Sequence, residues 1–197
     1  MRNKIILAMA AAGMMCATSA FADAPSVQPP TLATAHITVT GTINNSPCDI
    51  KSGDDNLIVA FGQFSNRHLQ AAGQPADAKY NKDFAIHLEN CSFDTDSSTQ
   101  ELKMSKVAVS FSAGGGVAAP ENGIFPNSQD PGMAKNVGVQ FLDDKGQVIK
   151  TGNTNTQQLA QGSNQINLTA QLVNTGGAGS VTTGQINIPL TYTLTYS

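Results

Sequence analysis

"GQINIPLTYTLTYS", residues 184–197, ends the chain and decides how the rest is read. Ile186, Ile188, Leu190, Tyr192, Leu194 and Tyr196 alternate with polar residues. A period of two puts every second side chain on one face of an extended strand, so one face is apolar and the other wet. Chain termini fray unless something ties them down. A strand this regular, in this position, raises the question of what ties it down. Pro189 lies inside it. Proline has no amide donor and fits poorly in a strand paired on both sides, so one edge is expected to tolerate a missing donor; a β-bulge is the plainer alternative.

The same alternation recurs upstream. It appears in "AHITVTGTIN" (Ile37, Val39, Gly41, Ile43), "DFAIHLENC" (Phe84, Ile86, Leu88) and "KVAVSFSA" (Val107, Val109, Phe111). It returns in "NVGVQFLDDKGQVIK" (Val137, Val139, Phe141, then a turn and a second short strand) and "NQINLTAQLV" (Ile166, Leu168, Ala170, Leu172). "NLIVAFGQF", residues 56–64, is apolar but less regular. Turn formers such as "SGDD", "NSQDPG", "DDKG" and "NTGGAG" separate these runs. Many short strands with polar turns predict an all-β sandwich or barrel. Residues 65–82 read as an irregular connection with one helical turn, and 112–136 as a second long loop.

Residues 1–22 stand apart. Arg2 and Lys4 precede an apolar run that closes on Ala20-Phe21-Ala22. That is the pattern of a secretory signal peptide cleaved before Asp23. The run is short for a membrane anchor, and Cys16 would leave with the leader. The remaining chain has 9 basic and 14 acidic residues, a net charge near −5. With no basic patch, nucleic acid is not an expected partner. Residues 23–35 carry Pro25, Pro29 and Pro30, which favour extended conformations. At their far end Thr31, Ala33, Ala35, Ile37 and Val39 are spaced by two.

Cys48 and Cys91 remain after cleavage. In an exported chain an even pair reads as a disulfide. A metal or redox pair is disfavoured, because neither C-x-x-C spacing nor a nearby histidine cluster accompanies the cysteines. No cofactor or metal is expected, and no catalytic residue. His36, His68 and His87 are scattered, and His87 falls on the solvent side of its strand. Gly114-Gly115-Gly116 lacks the Lys-Ser/Thr of a phosphate loop. Asp143-Asp144 reads as a hairpin turn, and "DTDSSTQE" (94–101) as a solvated loop without calcium-loop spacing.

"VTGTINNSPCDI" (39–50), "FAIHLENC" (84–91) and the closing strand, in that order behind a signal peptide, resemble the chaperone–usher pilus subunits, the pilin-domain family of type 1 and P pili. That family has a penultimate tyrosine and a glycine fourteen positions from the end, which Tyr196 and Gly184 match. The resemblance implies an incomplete immunoglobulin-like β-sandwich lacking the seventh strand, with one disulfide. It implies a domain order of 1–22 signal peptide, 23–38 N-terminal donor-strand extension and 39–197 pilin domain. Thr31, Ala33, Ala35, Ile37 and Val39 would form the donor strand. Ala35 stands about where the family places a small residue, and Leu32 fits a shifted pairing. Gly184, Ile186, Ile188, Leu190, Tyr192, Leu194 and Tyr196 would form the groove-edge, chaperone-binding strand.

The expected function is therefore a structural fimbrial subunit, not an enzyme, polymerising by donor-strand exchange and contributing to cell adhesion. Its partners would be a periplasmic chaperone, an outer-membrane usher, neighbouring pilins and a host glycan reached through the filament. It would pass through the periplasm to an extracellular fimbrium. A minor tip adaptor or carbohydrate-binding adhesin is the alternative. A secreted β-sandwich hydrolase is the reading from another class, and it lacks any nucleophile–base arrangement.

Overall fold

The alternation of Phe84, Ile86 and Leu88 becomes the inner face of β2 (Lys82–Cys91), with Ile86 and Leu88 fully buried. The structure is a computed structural model, and it describes Thr38, Gly41 and residues 43–197 apart from 115, 116, 119 and 151–155. The chain divides into units Met1–Thr42 and Ile43–Ser197, and the described strands all belong to the second. The signal-peptide and donor-extension assignments fall outside the described residues, Thr38 excepted.

One sheet has the order β1-β2-β8-β6-β5. Its strands are β1 (Asp49–Ile50), β2, β5 (Ile124–Pro126), β6 (Val137–Leu142) and β8 (Gly162–Asn174). All its pairings are antiparallel. The facing sheet is built on β3 (Lys106–Ala113), with β4 (Val117–Ala118) and β7 (Thr156–Gln158) pairing along one side and β9 (Leu190–Tyr196) along the other. Between the sheets lies a core that includes Val107, Phe111, Phe125, Phe141, Ile166, Leu168 and Ala170. Phe111 and Phe141 stack across it, 4.0 Å between centroids and 16° between planes. The all-β sandwich expected from the periodicity is thus the observed fold.

Cys48 and Cys91 form the disulfide. A bulge makes it accessible: the β2–β8 register shifts between Leu88 and Cys91, and Asn90 adopts φ 54°. The extra residue changes the parity of the strand, so Cys91 instead of Asn90 faces inward. Closing a separation of 43 residues restricts the unfolded chain by about 4 kcal/mol in the chain-entropy description.

Four expectations need correction. Gly41 and Ile43 lie in no strand, and the Ile43 side chain is fully exposed, so the first described strand begins at Asp49. Residues 112–136 are not one loop, because they contain β4 and β5, strands too short for alternation to register. The connection 65–82 has two 3-10 turns, Asn66–His68 and Ala78–Tyr80, not one. It also docks on β8, with the Ala76 amide donating to the Leu172 carbonyl at 3.0 Å. After the "DDKG" turn the second strand reduces to an isolated bridge, Leu142 to Val148.

Candidate functional site

The final strand is shorter than its alternation predicts. β9 spans Leu190–Tyr196, while 184–189 continue the line of the chain without a ladder to β3. Lys106 and Ser197 exchange both backbone hydrogen bonds, at 3.0 and 2.9 Å. In an antiparallel ladder such pairs recur every second residue, so Thr195, Thr193 and Thr191 turn their backbone groups to β3. The amides and carbonyls of Leu190, Tyr192, Leu194 and Tyr196 then point to the opposite edge. Among the described residues that edge has no strand partner. By the same parity the nitrogen of Pro189 faces β3. Its missing donor therefore ends the β3–β9 ladder and leaves the open edge intact, which refines the expectation from sequence.

Beside this edge runs a cleft of about 1010 Å³. One wall is 56–64 and the other 181–190, continued by Tyr192; Phe84, Phe111, Val139, Phe141 and Leu172 are on the floor. The first wall carries no strand ladder. Leu57, Val59 and Phe61 turn in against the core, while Ile58 is 85% exposed. This explains why the run at 56–64 looked apolar yet irregular: both of its sides carry large aliphatics, and only one faces a completed layer.

Hydrogen bonds tie the walls at both ends of the cleft. The Tyr192 hydroxyl donates to the Asp54 carbonyl at 2.9 Å, and Asn66 Nδ2 donates to the Val181 carbonyl at 3.1 Å. Asp54 is itself fixed to β2. Its carboxylate accepts the His87 amide at 2.6 Å and lies 2.9 Å from His87 Nδ1. Burial pushes the Asp54 carboxyl up, but the His87 contacts and Lys51 together hold it below its ordinary value. The His87 side chain stays 41% exposed on the outer side of β2, as expected, and the Asp54 contact is the feature the sequence did not indicate. Burial raises the Tyr192 hydroxyl, helped by the charges of Asp54 and Asp55. Burial also raises the Tyr196 hydroxyl, with Ser46 acting the other way. Both phenols stay neutral at ordinary pH.

Gly184 has a steric reason for being glycine. A Cβ there would sit 2.5 Å from the Met133 carbonyl carbon and 2.8 Å from the Gly132 oxygen. The chain passes 132–134 too closely for any side chain on that side.

Of the predicted groove-edge residues, Gly184, Ile186, Ile188, Leu190 and Tyr192 line the cleft, and Leu194 and Tyr196 pack on the core farther along β9. The donor residues Thr31, Ala33, Ala35, Ile37 and Val39 lie outside the described residues. Asn66, Asp54 and the buried Asn127 were not foreseen. Their side chains act on backbone groups distant in sequence, so no local pattern marks them. Among the described residues no three His, Cys, Asp or Glu side chains group as metal ligands, and no helix is long and apolar enough to cross a membrane. The loop at Asp96 is self-contained: hydrogen bonds from Ser98 and Thr99 and the Lys103 ammonium hold that carboxyl at about 2.

The profile of the family described as fimbrial protein matches residues 37–197. Protein FimG of Escherichia coli strain K12 is 31% identical over 161 residues, covering 82% of this chain and 84% of that protein. The major MR/P fimbria protein of Proteus mirabilis strain HI4320 is 31% identical over 157 residues, covering 79% and 80%. Among solved structures, the P pilus rod subunit PapA superposes with a TM-score of 0.57 at 21% identity, covering 77% of this chain and all of that one. A chain from a chaperone–usher pilus gives a TM-score of 0.61 at 20% identity, covering 88% and 100%; these two likenesses bear on fold.

Proposed function

The chain belongs to the fimbrial protein family and is a structural fimbrial subunit, and on that premise we propose that it assembles by accepting an extended strand from another subunit in the cleft beside β9 and lending its own residues 23–38 to a neighbour. The observation that carries this reading is the open edge of β9 alongside an apolar cleft. An unpaired edge beside exposed apolar surface is an aggregation hazard unless something covers it. A strand added there would satisfy the backbone groups of Leu190, Tyr192, Leu194 and Tyr196 and bury the cleft floor at once.

The chemistry is exchange of one non-covalent strand for another, so no catalytic group is required. Each fully buried aliphatic on the added strand contributes about 1.5–3 kcal/mol. In this reading Thr31, Ala33, Ala35, Ile37 and Val39 supply the inward side chains, and Ile37 and Val39 supply most of the apolar area. A periplasmic chaperone covers the edge first, and an outer-membrane usher presents the subunit for exchange. A head-to-tail contact of this kind does not close on itself and builds a surface filament.

Deleting residues 23–38 tests the reading. The truncated subunit is expected to fold, bind chaperone and accept a strand, yet fail to attach to the subunit it should complete. Incorporation of the truncated protein at the interior of fibres, at the wild-type level, would contradict it.

A further inference from the structure

We infer that the buried side-chain amide of Asn127 stands in for a missing strand and extends the open edge of β9 back to Ile186, making Asn127 a positioning residue for the incoming strand. The inference rests on the strand-acceptor reading above and concerns how far along the cleft backbone pairing reaches.

Two different supports hold the 182–196 wall. From Leu190 onward β3 provides the ladder. At the other end, 132–134 forms a short parallel bridge: the Gln185 amide donates to the Gly132 carbonyl and the Ala134 amide to the Gln185 carbonyl, each at 2.9 Å. Between Gln185 and Leu190 the described residues provide no strand. Asn127, 2% exposed, fills that interval. Its Nδ2 donates to the Ala134 carbonyl at 2.8 Å and to the Gln185 carbonyl at 2.9 Å. Its Oδ1 accepts the Asn187 amide at 3.0 Å. A carboxamide has the donor and acceptor of a peptide group, so it can take the place of one rung.

Parity makes the consequence definite. Gln185 and Asn187 direct backbone groups toward 132–134 and Asn127, while Thr191, Thr193 and Thr195 direct theirs toward β3. Position 189 belongs to the same odd series, and there proline supplies no amide, so the odd-numbered bonds break off between Asn187 and Thr191. The even series Ile186, Ile188, Leu190, Tyr192, Leu194 and Tyr196 therefore turns its backbone groups to the open edge as a single row. Without Asn127 the segment 186–188 is held only from Gln185, with nothing to fix Asn187, and the ordered row would begin at Leu190.

Amide hydrogen exchange on the chain lacking residues 1–38 reads this directly. In the free protein the Asn187 amide should exchange at least about fivefold more slowly than those of Ile186 and Ile188, the effect of one buried hydrogen bond. Adding a synthetic peptide of residues 23–39 should then slow Ile186 and Ile188 together with Leu190, Tyr192, Leu194 and Tyr196. In Asn127→Ala the peptide should still slow the amides from Leu190 onward but no longer Ile186 and Ile188. Asn127→Asp, which keeps an acceptor for Asn187 but faces two carbonyls without donors, should behave like the alanine variant. Peptide protection in the wild type that begins only at Leu190, or an Asn187 amide as fast as its neighbours, overturns the inference even if neither variant folds. Absence of protection at every even position overturns the strand-acceptor reading instead, while a slow Asn187 amide would still support the Asn127 tie.

Discussion

β8 and β9 read alike in sequence and end in opposite circumstances. Both alternate apolar and polar residues, and both turn their apolar face to the same core. β8 is paired on both sides, by β2 and β6, and Ile166, Leu168, Ala170 and Leu172 are at most 4% exposed. β9 is paired on one side only, and Leu190, Tyr192, Leu194 and Tyr196 stay half-buried. Side-chain periodicity reports which face of a strand is covered; it is silent about which edges are paired. Pairing is a property of the neighbours. The functional difference between these two strands lies in the backbone groups, which every residue but proline carries alike.

If that comparison is right, equal truncations should have unequal and differently conditioned costs. Leu168→Ala in β8 removes a fully enclosed side chain and should lower stability by about 2–5 kcal/mol, whether or not a 23–39 peptide is present. Leu194→Ala in β9 should cost about 1 kcal/mol in the free protein and more in the peptide complex, because the added strand completes its burial. Denaturant melts of both variants, with and without peptide, check this. Equal costs in both states would remove the distinction. Gly184→Ala should come next, at about 1–3 kcal/mol, because its Cβ meets the backbone of 132–134, which has little room to yield. It should also weaken peptide binding, since the same wall borders the cleft.

The smallest effect sharpens the comparison through pH. Asp54 joins the first wall to β2 and, through its carbonyl, to Tyr192 on β9. Its carboxyl is held below the ordinary value of 3.8 in the folded state. The stability it adds is therefore fully present above that ordinary value and is lost as pH falls through the lower, folded one. Asp54→Asn should flatten that acid limb and cost under about 1.5 kcal/mol at neutral pH, the range of one hydrogen bond. Stability–pH curves of the two proteins with identical acid limbs would contradict the assignment.

Much of this is legible in the sequence alone. The alternation of Phe84, Ile86 and Leu88, of Val137, Val139 and Phe141, and of Ile166, Leu168 and Ala170 located β2, β6 and β8 within a few residues, because each is half or fully enclosed by a neighbouring sheet. The cysteine pair was legible from its number and compartment. β4 and β5 were not, since two or three residues carry no period. The start of β9 was misjudged by the same logic that found it. Ile186 and Ile188 keep the alternation of a strand because they face the cleft, although what supports them is a loop and one asparagine. Asn127 and Asn174 were invisible for a related reason. Asn174 is fully buried and donates to the carbonyls of Leu69 and Gly177, both at 3.0 Å. A buried amide that braces backbone far along the chain looks, in sequence, like any loop asparagine.

The central claim is that the outer edge of β9 is a vacancy for a strand from another molecule. Isotope-filtered NMR on labelled protein lacking residues 1–38, mixed with unlabelled 23–39 peptide, measures it most directly. The account predicts cross-strand contacts between the peptide backbone and Leu190, Tyr192, Leu194 and Tyr196, with the β3–β9 contacts unchanged. A free protein whose β9 edge already shows a second strand partner from its own chain, or a peptide that binds without touching β9, would contradict it.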